Sequence, residues 1–465
     1  FFGGRDFAPD LIIDGQNVQD YLQSHYRGCL VEIAKRVKHL TNVIGFDTLN
    51  EPGTGFIGQR LSYQHVAKTE ENPRIAVPGP AWSPLDGLAV ARGVTRSIPE
   101  LTFSLEEMQS VVTEHRNVNS ARVDCWLPGR DDPFEKAGAY RRTNEGVEPL
   151  REDFFQNVNG RRVDLEEDYM APFFNDVAAA IRSVEPDWLV FAELDPFTGL
   201  LGGAFPEATP ERTVNASHWY DIAVLSTKLF MYPTAVNPFS GKVLEGRSEI
   251  EAHYKRQLSN VQNAGRTLNN GEGAPTLIGE CGIPYDLDGA AAYEAWANGD
   301  RSEEPWKSHV MALEFLYNAL DALHLSSTQW NYTASNANDL AIGDGWNQED
   351  LSIFSRDQQT DPDDINSGGR ALKGFVRPYL QSCRGTLNKT HFDLATGAFE
   401  TRFTPEGKGE ATIFVPVLQY PDGYNLQVEG GEAAYDARTQ KISILADGPD
   451  EVCVRISPIN AETAA

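Results

Sequence analysis

The sequence contains no run of about 18 apolar residues, so no segment of it can cross a bilayer as a helix. It is poor in cysteine. Cys29, Cys125, Cys281, Cys383 and Cys453 are scattered, odd in number and without CxxC spacing, which excludes a zinc ribbon and favours reduced thiols over a disulfide framework. Nine histidines occur without an HExxH pattern, so neither a metal site nor a cofactor is expected. Positive charge is also scarce: 40 Lys and Arg stand against 67 Asp and Glu, for a net charge of −27. Such a surface excludes nucleic acid as a partner and limits contact with anionic membranes to a transient one. The N-terminus, Phe1-Phe2-Gly3-Gly4-Arg5, has neither an initiating Met nor a signal segment.

What is present is a folding composition. Of 465 residues, 41% are hydrophobic and 10% aromatic, so a disordered chain is excluded, and the length predicts one large domain and a smaller one. Gln19 to Leu40 carries apolar residues at helical spacing, and the short apolar run Val43 to Leu49 follows, ending in Asn50-Glu51-Pro52-Gly53. This helix–strand unit recurs. Tyr169 to Val184 precedes the strand Trp188 to Glu193, Glu249 to Leu268 precedes Pro275 to Glu280, and His309 to Leu325 precedes Ser326 to Trp330. Arg212 to His218 reads as a further strand. Alternation of this kind means parallel strands with crossover helices, an α/β chain whose chemistry sits at the strand C-termini of a (β/α)8 barrel.

The connections are uneven. About 110 residues separate Pro52 from the helix near Tyr169, too many for an ordinary loop; the stretch at about 53–165 is expected to be a lid or a small inserted subdomain. Past Gly385 the pattern changes to short alternating runs (ATIFVPV, YNLQVEG, KISILAD, EVCVRIS) broken by Pro-Asp-Gly and Gly-Gly. These predict a C-terminal antiparallel β-sandwich at 384–465, after a barrel domain at 1–383.

Two carboxylates close predicted strands: Glu51 in Leu49-Asn50-Glu51-Pro52, and Glu280 in Ile278-Gly279-Glu280-Cys281-Gly282. A glycosidase needs one carboxylic acid to protonate the leaving oxygen and a second carboxylate to attack the sugar or activate water. Other residues end strands on the same face. His218 and Tyr220 are suited to orienting the nucleophile, Trp330 to flooring a sugar ring, and Glu193 to a substrate-contacting or structural role. Singly, each also fits a packing role.

Asn50-Glu51-Pro52, Ile278-Gly279-Glu280-Cys281-Gly282, His218-Trp219-Tyr220 and Trp330 together resemble glycoside hydrolase family 5 of clan A. The phrases FFGGRDFAPD, IDGQNVQDYLQSHY, GFDTLNEPGTGFIG and GWNQEDLSIFSRD are similar to its fungal, endoglycoceramidase-related branch, whose members act on glucosylceramide and ergosteryl glucosides. The resemblance extends through Arg377-Pro378-Tyr379 into the terminal sandwich. It implies a retaining β-glucosidase with Glu51 as acid/base and Glu280 as nucleophile. It further implies Asn50 at the sugar 2-hydroxyl, His218 and Tyr220 beside the nucleophile, and Trp330 under the −1 sugar. Cys281 departs from it, since many relatives carry Phe there. In the family Asn-Glu-Pro ends the fourth barrel strand, whereas only about 40 residues precede it here. The first three βα units, with the arginine that lies beneath the nucleophile, are therefore expected in an N-terminal segment of the same protein lying outside this sequence. The substrate expected is a membrane glycolipid, steryl β-glucoside ahead of glucosylceramide, in an intracellular compartment, cytoplasmic or vacuolar. A non-catalytic glycolipid-binding protein is the alternative of another class.

Overall fold

The computed structural model describes all residues except 71, 73–75, 105, 108, 145, 346–348, 447 and 460–465. Three residues of the GWNQEDLSIFSRD phrase, Trp346 to Gln348, thus lie outside the described residues. The chain forms two compact units: Phe1–His218 with Val236–Lys242 and Asn260–Thr276, and Trp219–Ala235 with Val243–Ser259 and Leu277–Ala465.

The first long helix of the first unit is α1 (Val18–Val37), whose first turn is capped by the Asn17 side chain accepting the Gln19 N–H at 3.0 Å. Strand β1 (Gly45–Asp47) follows. The long stretch after Pro52 carries strands of its own. Hairpin strands β2 (Arg96–Ser104) and β3 (Gln109–Val118) pair antiparallel, and two short hairpins lie at Tyr140–Pro149 and Asn157–Arg162. Its apolar residues Leu61, Leu85, Leu88, Tyr140, Phe154 and Phe155 share one core with Phe7 and with Phe173 and Phe174 of helix α2 (Ala171–Arg182). Strands β4 (Leu189–Ala192) and β5 (Thr213–Asn215) then complete a three-stranded parallel sheet in the order β5-β4-β1. Parallel pairing with helical crossovers is what the helix–strand alternation predicts, and it sets Glu51, Glu193 and His218 just beyond the C-terminal ends of their strands.

In the second unit, β6 (Leu277–Cys281) and β7 (Ser326–Gln329) pair in parallel, with helix α3 (Lys307–Leu323) between them in the chain. The helix carries His309, Ala312, Leu313, Phe315, Leu316, Ala319 and Leu320 as its buried stripe, a clear 3.6-residue period. Below it lies a buried ion pair. The Arg370 guanidinium donates to Asp350 at 2.8 Å and stacks 4.3 Å from the centroid of Tyr285. Neither charged side chain exceeds 3% exposure, so removing one leaves the other unpaired in the interior. Arg370→Met is expected to cost about 3–5 kcal/mol, read as a lowered urea midpoint, while adding Asp350→Leu restores much of the loss.

Eight antiparallel strands end the unit as two sheets. β8 (Tyr379–Cys383), β9 (Gly385–Asp393), β10 (Ala398–Pro405), β11 (Glu410–Phe414), β12 (Tyr424–Glu429), β13 (Gly431–Asp436), β14 (Lys441–Ala446) and β15 (Val452–Pro458) order as β8-β11-β14-β13 and β9-β10-β15-β12. Inward residues alternate, as in Ile442, Ile444 and Ala446 of β14 against Phe399 and Phe403 of β10. The sandwich starts at Tyr379, upstream of the boundary expected at 384, because β8 is mostly solvent-facing and carries no clean alternation to announce it. Arg377, 3% exposed, ties it to α3 by donating to the Asn318 side chain at 2.9 Å and to the Phe392 carbonyl at 3.1 Å.

No helix among the described residues is long and apolar enough to cross a membrane. All five cysteines are free thiols, and burial pushes the Cys281 thiol up to about 12. Asn215, the asparagine of the glycosylation triplet Asn215-Ala216-Ser217, is fully buried and donates its side-chain amide to the Val261 carbonyl at 2.8 Å.

Candidate active site

In the first unit the site is built on the ends of β1, β4 and β5. Asn215 accepts the Ser217 N–H at 3.1 Å, and the Ser217 hydroxyl accepts the Leu194 N–H at 3.1 Å. These bonds lock the chain after β5 to the chain after β4, and His218 follows at once. Its imidazole is 3% exposed and lies between two carboxylates: Nδ1 is 3.0 Å from Oε1 of Glu51, and Nε2 is 3.1 Å from Oε1 of Glu193. Glu51 is held from a second direction, since its backbone N–H donates to the other Glu193 oxygen at 2.8 Å. Its φ of 41° lies in the left-handed region, a conformation costly for a non-glycine residue and sustained by the bond to Glu193. The Glu51 side chain is 40% exposed, as an acid that must meet substrate has to be. Asn50 is exposed beside it.

Asp47 completes this set. Its carboxyl is pushed up to about 8, first by loss of solvation, then by the negative charge of Glu193 and the hydrogen bond between the two carboxyls. The residue keeps exposed surface along the strand, so the direction rests most firmly on Glu193, because two carboxyls in contact cannot both ionise.

In the second unit the half-buried Glu280 ends β6. The buried Tyr220 donates its hydroxyl to Oε2 of Glu280 at 2.9 Å, and the Trp219 N–H donates to the Glu280 carbonyl at 2.9 Å. Trp219 is itself anchored by its indole N–H on Gln257 at 3.2 Å. Half-buried Trp330 ends β7, with its N–H on the Cys281 carbonyl at 2.8 Å. A carboxylate that receives a phenolic hydrogen bond is favoured in its ionised form, the state a nucleophile needs.

The structure adds partners that the sequence did not name. The His218 imidazole bonds Glu51 and Glu193. Glu193 was expected to contact substrate or to be structural. At 3% exposure, with one oxygen on His218 and the other on the Glu51 N–H, it fits the structural of these two roles and supports Glu51. Asp47 was not anticipated, although an acidic residue inside the apolar run VIGFDTL is a visible signal. Phe230 and Tyr232 stack on each other at 6.5 Å and pack on Phe315.

Strand-end carboxylates on parallel strands, followed by an antiparallel sandwich, are an arrangement found in barrel glycoside hydrolases. Residues 377–456 match the glycoside hydrolase family 5 C-terminal domain. The chain is 27% identical to a glucosylceramidase of Rhizopus delemar, over 90% of this chain and 62% of that protein. It is 24% identical to the ergosteryl-beta-glucosidase of Saccharomyces cerevisiae, over 77% of this chain and 49% of that protein. A crystal structure of Cryptococcus neoformans sterylglucosidase 1 with tris superposes with a TM-score of 0.85 at 24% identity, covering 99% of this chain and 70% of that one. The fold is thus a TIM barrel with a C-terminal β-sandwich, and the resemblance to glycoside hydrolase family 5 and its steryl-glucosidase and glucosylceramidase branch holds. The chain spans 62% and 56% of the lengths of two of the glucosylceramidases it matches, from Rhizopus delemar and Cryptococcus neoformans.

Proposed function

We propose that this protein is a retaining β-glucosidase that releases glucose from a membrane glycolipid, with Glu280 as nucleophile and Glu51 as acid/base. The assignment is carried by the fact that each strand-end carboxylate has its own fitted partner: His218 on Glu51, and the Tyr220 hydroxyl on Glu280. Ionised Glu280 attacks the anomeric carbon while Glu51 gives its proton to the departing sterol or ceramide oxygen, forming a glucosyl-enzyme ester. Glu51, now a carboxylate, takes a proton from the water that cleaves the ester, and glucose leaves with its configuration kept. Asn50 is assigned to the sugar 2-hydroxyl and Trp330 to the face of the ring.

The aglycone is assigned as a sterol ahead of a ceramide. Relatives named for both activities, together with the fold shared with a sterylglucosidase, support this pair of substrates. Side-by-side kcat/KM values on ergosteryl β-glucoside and glucosylceramide are expected to favour the steryl substrate at least tenfold. Equal or reversed values would move the assignment to glucosylceramidase. Tight binding of both lipids without glucose release would leave a binding protein.

We further infer that β1 is an inner barrel strand. Among the described residues it pairs only with β4, and Ile33, Leu40 and Ile44 around it are 50%, 41% and 57% exposed. An unpaired parallel edge beside exposed apolar side chains is a surface that further βα units cover. An N-terminal segment of the same protein is proposed to supply them. Slow amide exchange at Gly45–Asp47 in the full-length protein would agree, and rapid exchange there would refute it.

A further inference from the structure

We propose that Asp47 and Glu193 are positioning residues that set the proton order through His218, so that Glu51 is held as a hydrogen-bond donor, ready to act as an acid. This rests on the assignment of Glu51 as acid/base.

The geometry is a chain of four side chains within one unit. Asp47 bonds Glu193, Glu193 faces Nε2 of His218 at 3.1 Å, and Nδ1 of His218 faces Glu51 at 3.0 Å. A neutral imidazole has one donor nitrogen and one acceptor, so the partner of one nitrogen decides what the other can do. Glu193 is an acceptor on every side. It takes the Glu51 N–H at 2.8 Å on one oxygen, faces Nε2 with the other, and shares a hydrogen bond with Asp47. Two carboxyls in contact cannot both ionise, and the proton between them is assigned to Asp47, whose carboxyl is pushed up by burial and by the charge of Glu193. Glu193, which accepts the Glu51 N–H on one oxygen and faces Nε2 with the other, fixes the hydrogen of His218 on Nε2. The Nδ1 lone pair is left pointing at Glu51, where it accepts the Glu51 carboxylic proton.

The arrangement serves both halves of the reaction. Before glycosyl transfer the proton of Glu51 has an acceptor holding it in place. After transfer the new Glu51 carboxylate faces a lone pair and not a donor, which makes it a stronger base toward the incoming water. Within the first unit, Tyr26 on α1 is a further titratable group set against this chain of residues. Burial, followed by the charges of Asp47 and Glu193, pushes its phenol up, so it stays neutral and donates to the Thr48 carbonyl at 2.7 Å.

Four variants and one spectrum test this, using the full-length protein and two substrates: ergosteryl β-glucoside, whose leaving group needs a proton, and 2,4-dinitrophenyl β-glucoside, whose leaving group does not. Glu193→Gln and Asp47→Ala are expected to lower kcat/KM on the steryl substrate about 10–100-fold. They should move its basic limb about one pH unit lower, and change the aryl substrate less than about threefold. Asp47→Asn keeps an N–H donor toward Glu193 and is expected to restore the wild-type profile. Nitrogen-15 shifts of His218 should show the Nε2–H tautomer between pH 6 and 8. Equal losses on both substrates with unmoved pH limbs would reduce the two residues to packing, and an imidazolium across that range would overturn the proton order. Should Glu193→Gln not fold, the Asp47 pair decides alone. Glu51→Ala, run in parallel, separates the two levels: if it shows no dependence on the leaving group, the acid/base assignment fails, and this proposal with it.

Discussion

Glu280→Gln is expected to reduce kcat on every β-glucoside by about 10⁴-fold or more, at least ~5 kcal/mol of barrier at 1.36 kcal/mol per decade. The amide keeps the shape of the carboxyl and can still bond the Tyr220 hydroxyl now 2.9 Å away, so the fold and the binding of substrate should survive. What is lost is the negative charge that forms the ester. Loss of turnover should therefore come without loss of affinity: KM or a measured Kd should stay within a few-fold of wild type. An activated aryl glucoside should not rescue this variant, because both leaving groups depart through the same attack. Retained turnover in Glu280→Gln would remove Glu280 from the mechanism.

Glu51→Ala is expected to behave differently. The loss should reach about 10³–10⁴-fold on ergosteryl β-glucoside, whose alkoxide cannot leave unprotonated, and be far smaller in the first step with a dinitrophenyl leaving group. The second step still lacks its base, so the glucosyl-enzyme should accumulate and produce a burst of dinitrophenol. Azide, a nucleophile that needs no base, should then accelerate turnover and yield β-glucosyl azide. Removing the side chain takes the Glu51 oxygen away from Nδ1 of His218 and leaves the backbone bond to Glu193 in place, so a melting curve should accompany the kinetics. Equal losses on both substrates and no effect of azide would deny Glu51 its role.

Much of the framework was legible in the sequence because its elements are long and strongly periodic. The α3 stripe from His309 to Leu320 and the alternation in β14 each match one period and no other. The stretch at about 53–165 was harder to read. β3 is exposed along most of its length, so its residues carry no apolar alternation, and only pairing with β2 reveals it. The short barrel strands were located by the carboxylates after them more than by their own three to five residues.

At the site, Glu51 and Glu280 were legible as residues closing apolar runs before a turn. Their partners were not, and the reason is geometric. In an extended chain the side chains of His218 and Tyr220, two apart, share a face, which suggests one common target. The backbone after β5 is irregular, bound through Ser217 to the β4 end, and it turns the imidazole toward Glu51 and Glu193. Glu193 and Asp47 contact each other only because β1 and β4 are adjacent in the sheet, at a sequence separation that no local pattern encodes.

The central claim is double displacement through Glu280, and trapping the intermediate tests it most directly. The protein is incubated with 2,4-dinitrophenyl 2-deoxy-2-fluoro-β-glucoside, digested and mapped by mass spectrometry. One fluoroglucosyl label on the peptide carrying Gly279-Glu280-Cys281, with time-dependent loss of activity, is the predicted result. A label on another residue, or α-glucose as the first-formed anomer from an unlabelled enzyme, would contradict it.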